Sequence, residues 1–342
     1  MLRYPASHRD HFCSEERRKE KTMIAARRTN NRLSAGIKRT PLRRWLRFMP
    51  LYMMMLPGLA YLIINNYIPM AGIVIAFKKM DYRLGMFLSP WVGLKNFEFL
   101  FRTKDAWLIT RNTILYNLVF ITLGIAVSVT VAVLLNEIRQ NRARKAYQTI
   151  ILMPFMVSII ITSYLVYGFL SQESGFLNKS ILPAIHKAPV AWYAQKQYWP
   201  VILTLVNLWK SFGYGSVVYF ATIVGFDRSF YESATIDGAG RWKQITCITL
   251  PLLKPVLIIM VLMSISKIFY SDFGLFYQIP RNSGPLIDVT NTIDTYVYRG
   301  LVRNNNVGMF SAANFYQAVI GFVLVLTANL TVKKMDAESS LF

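Results

Sequence analysis

Long apolar stretches alternate with shorter polar ones along this chain. Six of them, roughly 48–69, 112–135, 147–170, 201–223, 252–276 and 312–332, run far enough to cross a bilayer. A hydrocarbon core of about 30 Å takes about 20 helical residues, because each rises only about 1.5 Å. The blocks are too long for outer-membrane strands and lack their two-residue alternation. The predicted fold is therefore an all-α integral membrane protein with six transmembrane helices. A basic arm over 1–47 precedes a transmembrane domain over 48–335, and a short tail over 336–342 follows it.

Composition agrees with a chain solvated largely by lipid: 54% of residues are hydrophobic and the mean hydropathy is +0.34. The net charge of +22 raises the question of nucleic acid, and its placement answers against that partner. Residues 1–49 alone hold fourteen Lys and Arg against four Asp and Glu. That arm has no long apolar run, so it lacks the core of a secretory signal and reads as a solvated or lipid-touching arm that holds the N-terminus in the cytoplasm, with Met23 an alternative start. Lys and Arg are nearly twice as dense on one side of the six spans as on the other, which predicts that both termini are cytoplasmic. The segment EIRQNRARKAY at 137–147, with four basic residues, is the clearest inner signal; the outer loop 77–111, with seven, departs from the rule. Cys13, Cys247, His8, His11 and His186 never cluster in sequence, which argues against a disulfide scaffold or a metal site.

Polar residues inside the apolar blocks carry two readings each. Pro57, Pro154 and Pro255 are expected to kink their helices. Lys254 lies near the expected inner face and can snorkel. Lys210 and Lys267 sit deep in the fourth and fifth predicted spans, where an ammonium costs about 2.5–3.5 kcal/mol. An ion pair between Lys267 and Asp272 is one explanation. The other is a polar translocation path, with Trp209, Tyr214, Tyr270 and Tyr277 beside the lysines as surfaces for sugar rings.

Between the fourth and fifth spans, on the predicted cytoplasmic side, lies the loop 225–250 containing YESATIDGAGRWKQITCITLP. It reads as two helical pieces, 230–237 and 241–249, joined by Gly238-Ala239-Gly240, with Pro251 in the first turn of the next span. Tyr231, Ala234, Ile236, Ala239, Ile245 and Ile248 form an apolar face. Its polar face mixes Glu232 and Asp237 with Arg241 and Lys243, which suits docking on a protein better than lying on a membrane.

These residues resemble a known signature. Glu232-Ser233-Ala234, Gly238 and Ile248-Thr249-Leu250-Pro251 match E-A-A-x3-G-x9-I-x-L-P of the permease subunits of binding-protein-dependent ABC importers, with Ser233 replacing an alanine. The segments YIPMAGIVIAFKKMDYRLG, SPWVGLKNFEFLF, RNTILYN, SDFGLFYQIPR and IDTYVYRGL are similar to the oligosaccharide branch of that family, alginate importers among them; residues 1–40 fall outside the resemblance. It implies a type I importer in which 231–251 is a coupling helix seated in a cleft of an ATPase subunit. Glu232, Ser233, Ala234, Ile236, Asp237, Gly238, Ala239, Ile248, Leu250 and Pro251 would make that contact. It further implies a second permease subunit in a heterodimer, two ATP-binding subunits carrying ATP and Mg, an external binding protein, and an oligosaccharide substrate, with an acidic one such as alginate the narrower expectation. Location in a bacterial cytoplasmic membrane follows from the same resemblance.

The chain contains no G-x-x-x-x-G-K-[ST], so no phosphate-cradling loop of its own is expected, and no cofactor. Energy must then arrive through contact, with Gly238 bending the lever and Glu232 supplying either a local charge or a helix cap. An ion-coupled secondary transporter is the alternative; it would be expected to carry functional carboxylates within its spans or paired broken helices in two halves. Only Asp272 is acidic near a span, and no internal repeat is visible. A membrane enzyme would need converging acid, base or metal ligands, and none converge.

Overall fold

The computed structural model describes residues 41–335, all of whose regular secondary structure is helical. Most of the basic arm, with Cys13, His8, His11 and Met23, and the tail 336–342 lie outside the described residues. By its contacts the chain divides into two units at Met70/Ala71. The described part of the first unit is α1, Pro41–Leu62, continued by a π-turn at Ile63–Tyr67 and by Ile68–Met70.

The second unit contains α2 (Lys104–Glu137), α3 (Asn141–Met156), α4 (Ile159–Leu170), α5 (Trp199–Val224), α6 (Arg228–Ile236), α7 (Arg241–Ile265), α8 (Ile293–Asn304) and α9 (Val307–Met335). Five helical runs among the described residues are long and apolar enough to cross a bilayer: Phe48–Phe77, Asp105–Glu137, Lys196–Val224, Arg241–Ile265 and Val307–Lys334. The pair α3–α4 passes only as a broken unit, and counting it as one span makes six.

That pair corrects the third predicted span. The expected kink at Pro154 is a 93° break between Asn141–Met156 and Ile159–Leu170. Pro154 removes one helical donor, Val157 is extended, and Ser158 starts the new helix by accepting a bond from the Ile161 amide (3.3 Å). The fifth span differs as well. Helix stops at Ile265, because side chains of other helices claim the backbone beyond it: Asn117 donates to the carbonyls of Ile268 (2.9 Å) and Tyr270 (2.7 Å), Gln317 donates to that of Phe269 (2.7 Å), and Asp294 accepts from the Ser271 amide (2.6 Å). Lys267 is thus not within a span; it lies past the helix end and is exposed.

Four π-turns occur among the described residues, at Ile63–Tyr67, Leu177–Ile181, Ile245–Thr249 and Gly274–Gln278. Each ends two residues before a proline, namely Pro69, Pro183, Pro251 and Pro280. A proline in a helix lacks its N–H and presses its ring against the carbonyl four residues earlier. Widening the turn before it relieves the clash while the helix continues. Pro251 stands in the first turn of the α-helical stretch Leu250–Ile265, as predicted, and that stretch continues the π-turn before it without a break.

Helices α2 and α5 run along one another, and α5 also packs on α3. Close approach requires glycine here: a Cβ on Gly213 would lie 2.0 Å from the Ile151 carbonyl oxygen, and one on Gly215 would lie 2.5 Å from Ser128 Oγ. Three buried clusters stack through the unit, around Ile109 and Ile293, around Trp199 and Phe276, and around Tyr219 and Leu253. The third of these anchors the end that carries α6.

Candidate functional site

Helix α6 begins two residues earlier than predicted because Asp227 caps it, accepting from the Ser229 amide at 2.9 Å. Those hydrogen bonds hold the Asp227 carboxyl below the usual carboxylate range. Asp227, not Glu232, is the cap, which resolves one of the two roles open to Glu232. The helix ends at Ile236. The Gly238 amide donates to the Thr235 carbonyl (3.0 Å) and the Ala239 amide to that of Ala234 (2.8 Å), a closure that needs a left-handed residue between them. Gly238 supplies it with φ +77°. The glycine of the signature is a helix stop.

Two contacts fasten α6 and its closing turn to α7, and a third ties α7 to α2. The Tyr231 and Thr249 hydroxyls share a hydrogen bond of 3.0 Å; Gln244 Nε2 donates to Thr235 Oγ1 and to the Ala239 carbonyl, both at 3.0 Å; and Arg241 pairs with Glu137 at the end of α2 at 3.5 Å. The last is half exposed and worth well under 1 kcal/mol by itself, but it fixes direction. A push on α6 is therefore delivered to α7, and through Arg241 to α2.

Tyr231, Ala234, Ala239, Ile245 and Ile248 turn partly inward, as expected of an apolar face. Ile236 does not: it is 87% exposed, and with Phe230 (53%) and Trp242 (77%) it projects apolar surface outward. Glu232, Ser233, Asp237, Gly238, Leu250 and Pro251 are exposed as well. The predicted face thus divides into an inward set that holds the helix and an outward set available to a partner. Trp242 and Asp227 escaped the sequence reading. Asp227 carried a visible signal, an Asp just before a helical run. Glu232 borders a cleft of about 310 Å³ that also has Arg144, Arg228 and Asn136 in its wall.

The residues assigned to a substrate path fall into two groups. On α5, Trp209 is exposed, Tyr214 stacks on Phe155 (centroids 4.8 Å apart, planes at 17°), and Lys210 Nζ donates to the carbonyls of Pro154 and Val157. Lys210 thus neutralises the carbonyl end of α3 at the break. Beyond α7, Lys267 and Asp272 are exposed and Tyr270 is half-buried. The ion pair considered for Lys267 and Asp272 is not among the salt bridges of the described residues. Asp272 instead accepts from the Leu275 amide (3.1 Å), capping a π-turn.

A bundle of long apolar helices with a short exposed helix tied to one of them fits a class that the family match defines: a non-enzymatic transport subunit embedded in a membrane. Comparison with known proteins supplies the family. The profile of the family described as binding-protein-dependent transport system inner membrane component matches residues 124–336, and the chain belongs to that family. It is 31% identical over 288 residues to the polygalacturonan/rhamnogalacturonan transport system permease protein YteP of Bacillus subtilis (strain 168), covering 84% of this chain and 89% of that one. Protein LplB of the same organism is 29% identical over 288 residues, covering 84% and 90%. Among solved structures, a chain of a bacterial ABC transporter involved in the import of the acidic polysaccharide alginate superposes with a TM-score of 0.78 at 30% identity, covering 86% of this chain and 99% of that one.

Proposed function

We propose that this chain is one of two different permease subunits that together line the pathway of an ATP-driven oligosaccharide importer in a bacterial cytoplasmic membrane, with both termini in the cytoplasm. An extracytoplasmic binding protein delivers the sugar, and two partner subunits bind ATP and Mg. The observation that carries this reading is α6. It is capped by Asp227, stopped by Gly238 and tied to α7, which Arg241 ties in turn to α2, and its Ile236 stands exposed, as does Trp242 at the start of α7, where a partner can grip them. The partner's nucleotide domains close on ATP, α6 moves as a body, and α7 and α2 follow.

An acidic oligosaccharide is the substrate class we infer. Lys267 is a cation on an exposed segment next to Tyr270, and a cation in a low-dielectric passage attracts carboxylates. YteP and the alginate transporter, both similar to this chain, are named for polyanionic glycans. Co-reconstitution with the cognate ATPase subunits and binding protein tests the proposal. Uptake of an oligogalacturonate or an alginate oligosaccharide should require ATP and survive a protonophore. Uptake that a protonophore abolishes without ATP dependence would assign the chain to ion-coupled carriers.

A further inference from the structure

The segment following Phe77 encloses a cleft of about 360 Å³ whose wall carries Lys78, Lys79 and Lys95 and, among the described residues, no carboxylate. Its wall follows directly on one candidate span and begins another: the apolar run Phe48–Phe77 ends immediately before Lys78, and Val307 and Gly308 on the cleft wall open α9. Lys78 is buried, donates to the Phe87 carbonyl and sits 4.9 Å from the centre of the Trp91 ring, so its charge is fixed in place. Lys79 and Lys95 are exposed, and neither enters a salt bridge among the described residues. Asn306, also on the wall, caps α9 by accepting from the Met309 amide (3.0 Å), which sets the positive end of a long helix beside the same cleft.

A second observation identifies the ligand. Phe87, Leu88, Trp91 and Leu94, on the same short segment as the lysines, are 66–76% exposed. Large apolar side chains next to ammonium groups are the composition of a bilayer interface, where rings and aliphatic groups enter the acyl boundary and lysines stay at phosphate depth. We propose that this cleft binds the phosphate of an anionic phospholipid headgroup. Lys79 and Lys95 clamp it against the fixed charge of Lys78, while Met80, Val92 and Val307 contact its glycerol. The excess of basic residues in this loop then has a use that the charge-bias rule for membrane loops does not count.

The proposal rests on the membrane spans and not on the substrate reading, so the two fail separately. The test is native mass spectrometry of the full-length chain, purified with the subunits it assembles with and titrated with phosphatidylglycerol or phosphatidylcholine. Phosphatidylglycerol should be retained about tenfold better, and Lys79→Ser with Lys95→Ser should remove about that preference at unchanged helix content. Equal retention of the two lipids by the wild type, or undiminished preference in a folded double variant, would overturn it. Should the double variant not fold, the wild-type comparison decides alone. Competition by millimolar inorganic phosphate would reassign the cleft to free anions, and displacement by an oligogalacturonate would reassign it to substrate.

Discussion

The ammonium of Lys210 lies 3.4 Å from the carbonyl oxygen of Pro154, so a charge in one span occupies the gap left by a broken helix in another. A charged donor to such carbonyls contributes about 1.5–3 kcal/mol, because the alternative is an unpaired acceptor at membrane depth. Lys210→Met should lower stability by about that amount, and Lys210→Arg by less. Unfolding of the full-length chain in mixed micelles measures both. A Met variant as stable as the wild type would free Lys210 for a purely transport role.

Gly238 closes α6 in a conformation that costs a side-chain-bearing residue about 1–2 kcal/mol. Gly238→Val should fray the end of the helix that presents Ile236, so that ATP is hydrolysed with less sugar moved per nucleotide. Gly238→Asn should be milder, because asparagine visits that region at low cost. The ratio of ATP consumed to oligosaccharide accumulated in proteoliposomes is the readout, and a wild-type ratio in the Val variant would remove α6 from the coupling path.

The apolar blocks around α2, α5 and α9 were legible because each is an unbroken run of suitable length, and the end of α6 was legible because Gly238-Ala239-Gly240 offers permissive backbone there, although Gly238, expected to bend the lever, closes the helix instead. The break between α3 and α4 was not. Pro154 alone predicts a kink, whereas the break involves Ser158 as a new cap and Lys210, fifty-odd residues away, supplying a charge for the exposed carbonyls. The end of α7 was hidden for the same reason, since the residues that stop it, Asn117, Asp294 and Gln317, are on other helices. Ile236 could not be placed either, because an apolar residue on a helix looks the same in sequence whether it faces its own bundle or a partner.

Asp227 gives a pH signature. Its folded pKa lies below the unfolded value of about 3.9, so the stabilisation it lends α6 is complete above that pH and is lost as pH falls through the lower folded value. The Ser229 amide should therefore keep its hydrogen-exchange protection from pH 7 to pH 5 and lose it only below about pH 4. Asp227→Ala should lose it at every pH. Protection that declines already near pH 6 would point to another group.

Lys267 is exposed beyond the end of α7, so Lys267→Ala should change stability by no more than about 0.5 kcal/mol. If it attracts acidic substrate, the same variant should slow uptake of an oligogalacturonate and leave that of a neutral oligosaccharide, and the ATPase coupling ratio, unchanged. Equal slowing of both sugars would place its effect on the gate rather than on charge recognition.

Pro251 sets the register of the start of α7. The π-turn Ile245–Thr249 holds one residue more than an α-turn would, and Pro251 supplies a reason for it by withholding a donor and crowding the carbonyl of Cys247. Pro251→Ala should let the turn tighten, which rotates the helix ahead of it by about 100°, the angle of a single residue. Arg241 would then swing away from Glu137, now 3.5 Å distant, and the Gln244 bonds to α6 would go with it. Crosslinking between Glu137→Cys and Arg241→Cys should be efficient with proline at 251 and fall several-fold with alanine, together with ATP-coupled uptake. Crosslinking that persists in the alanine variant would mean that packing against α2, and not the proline, sets the turn.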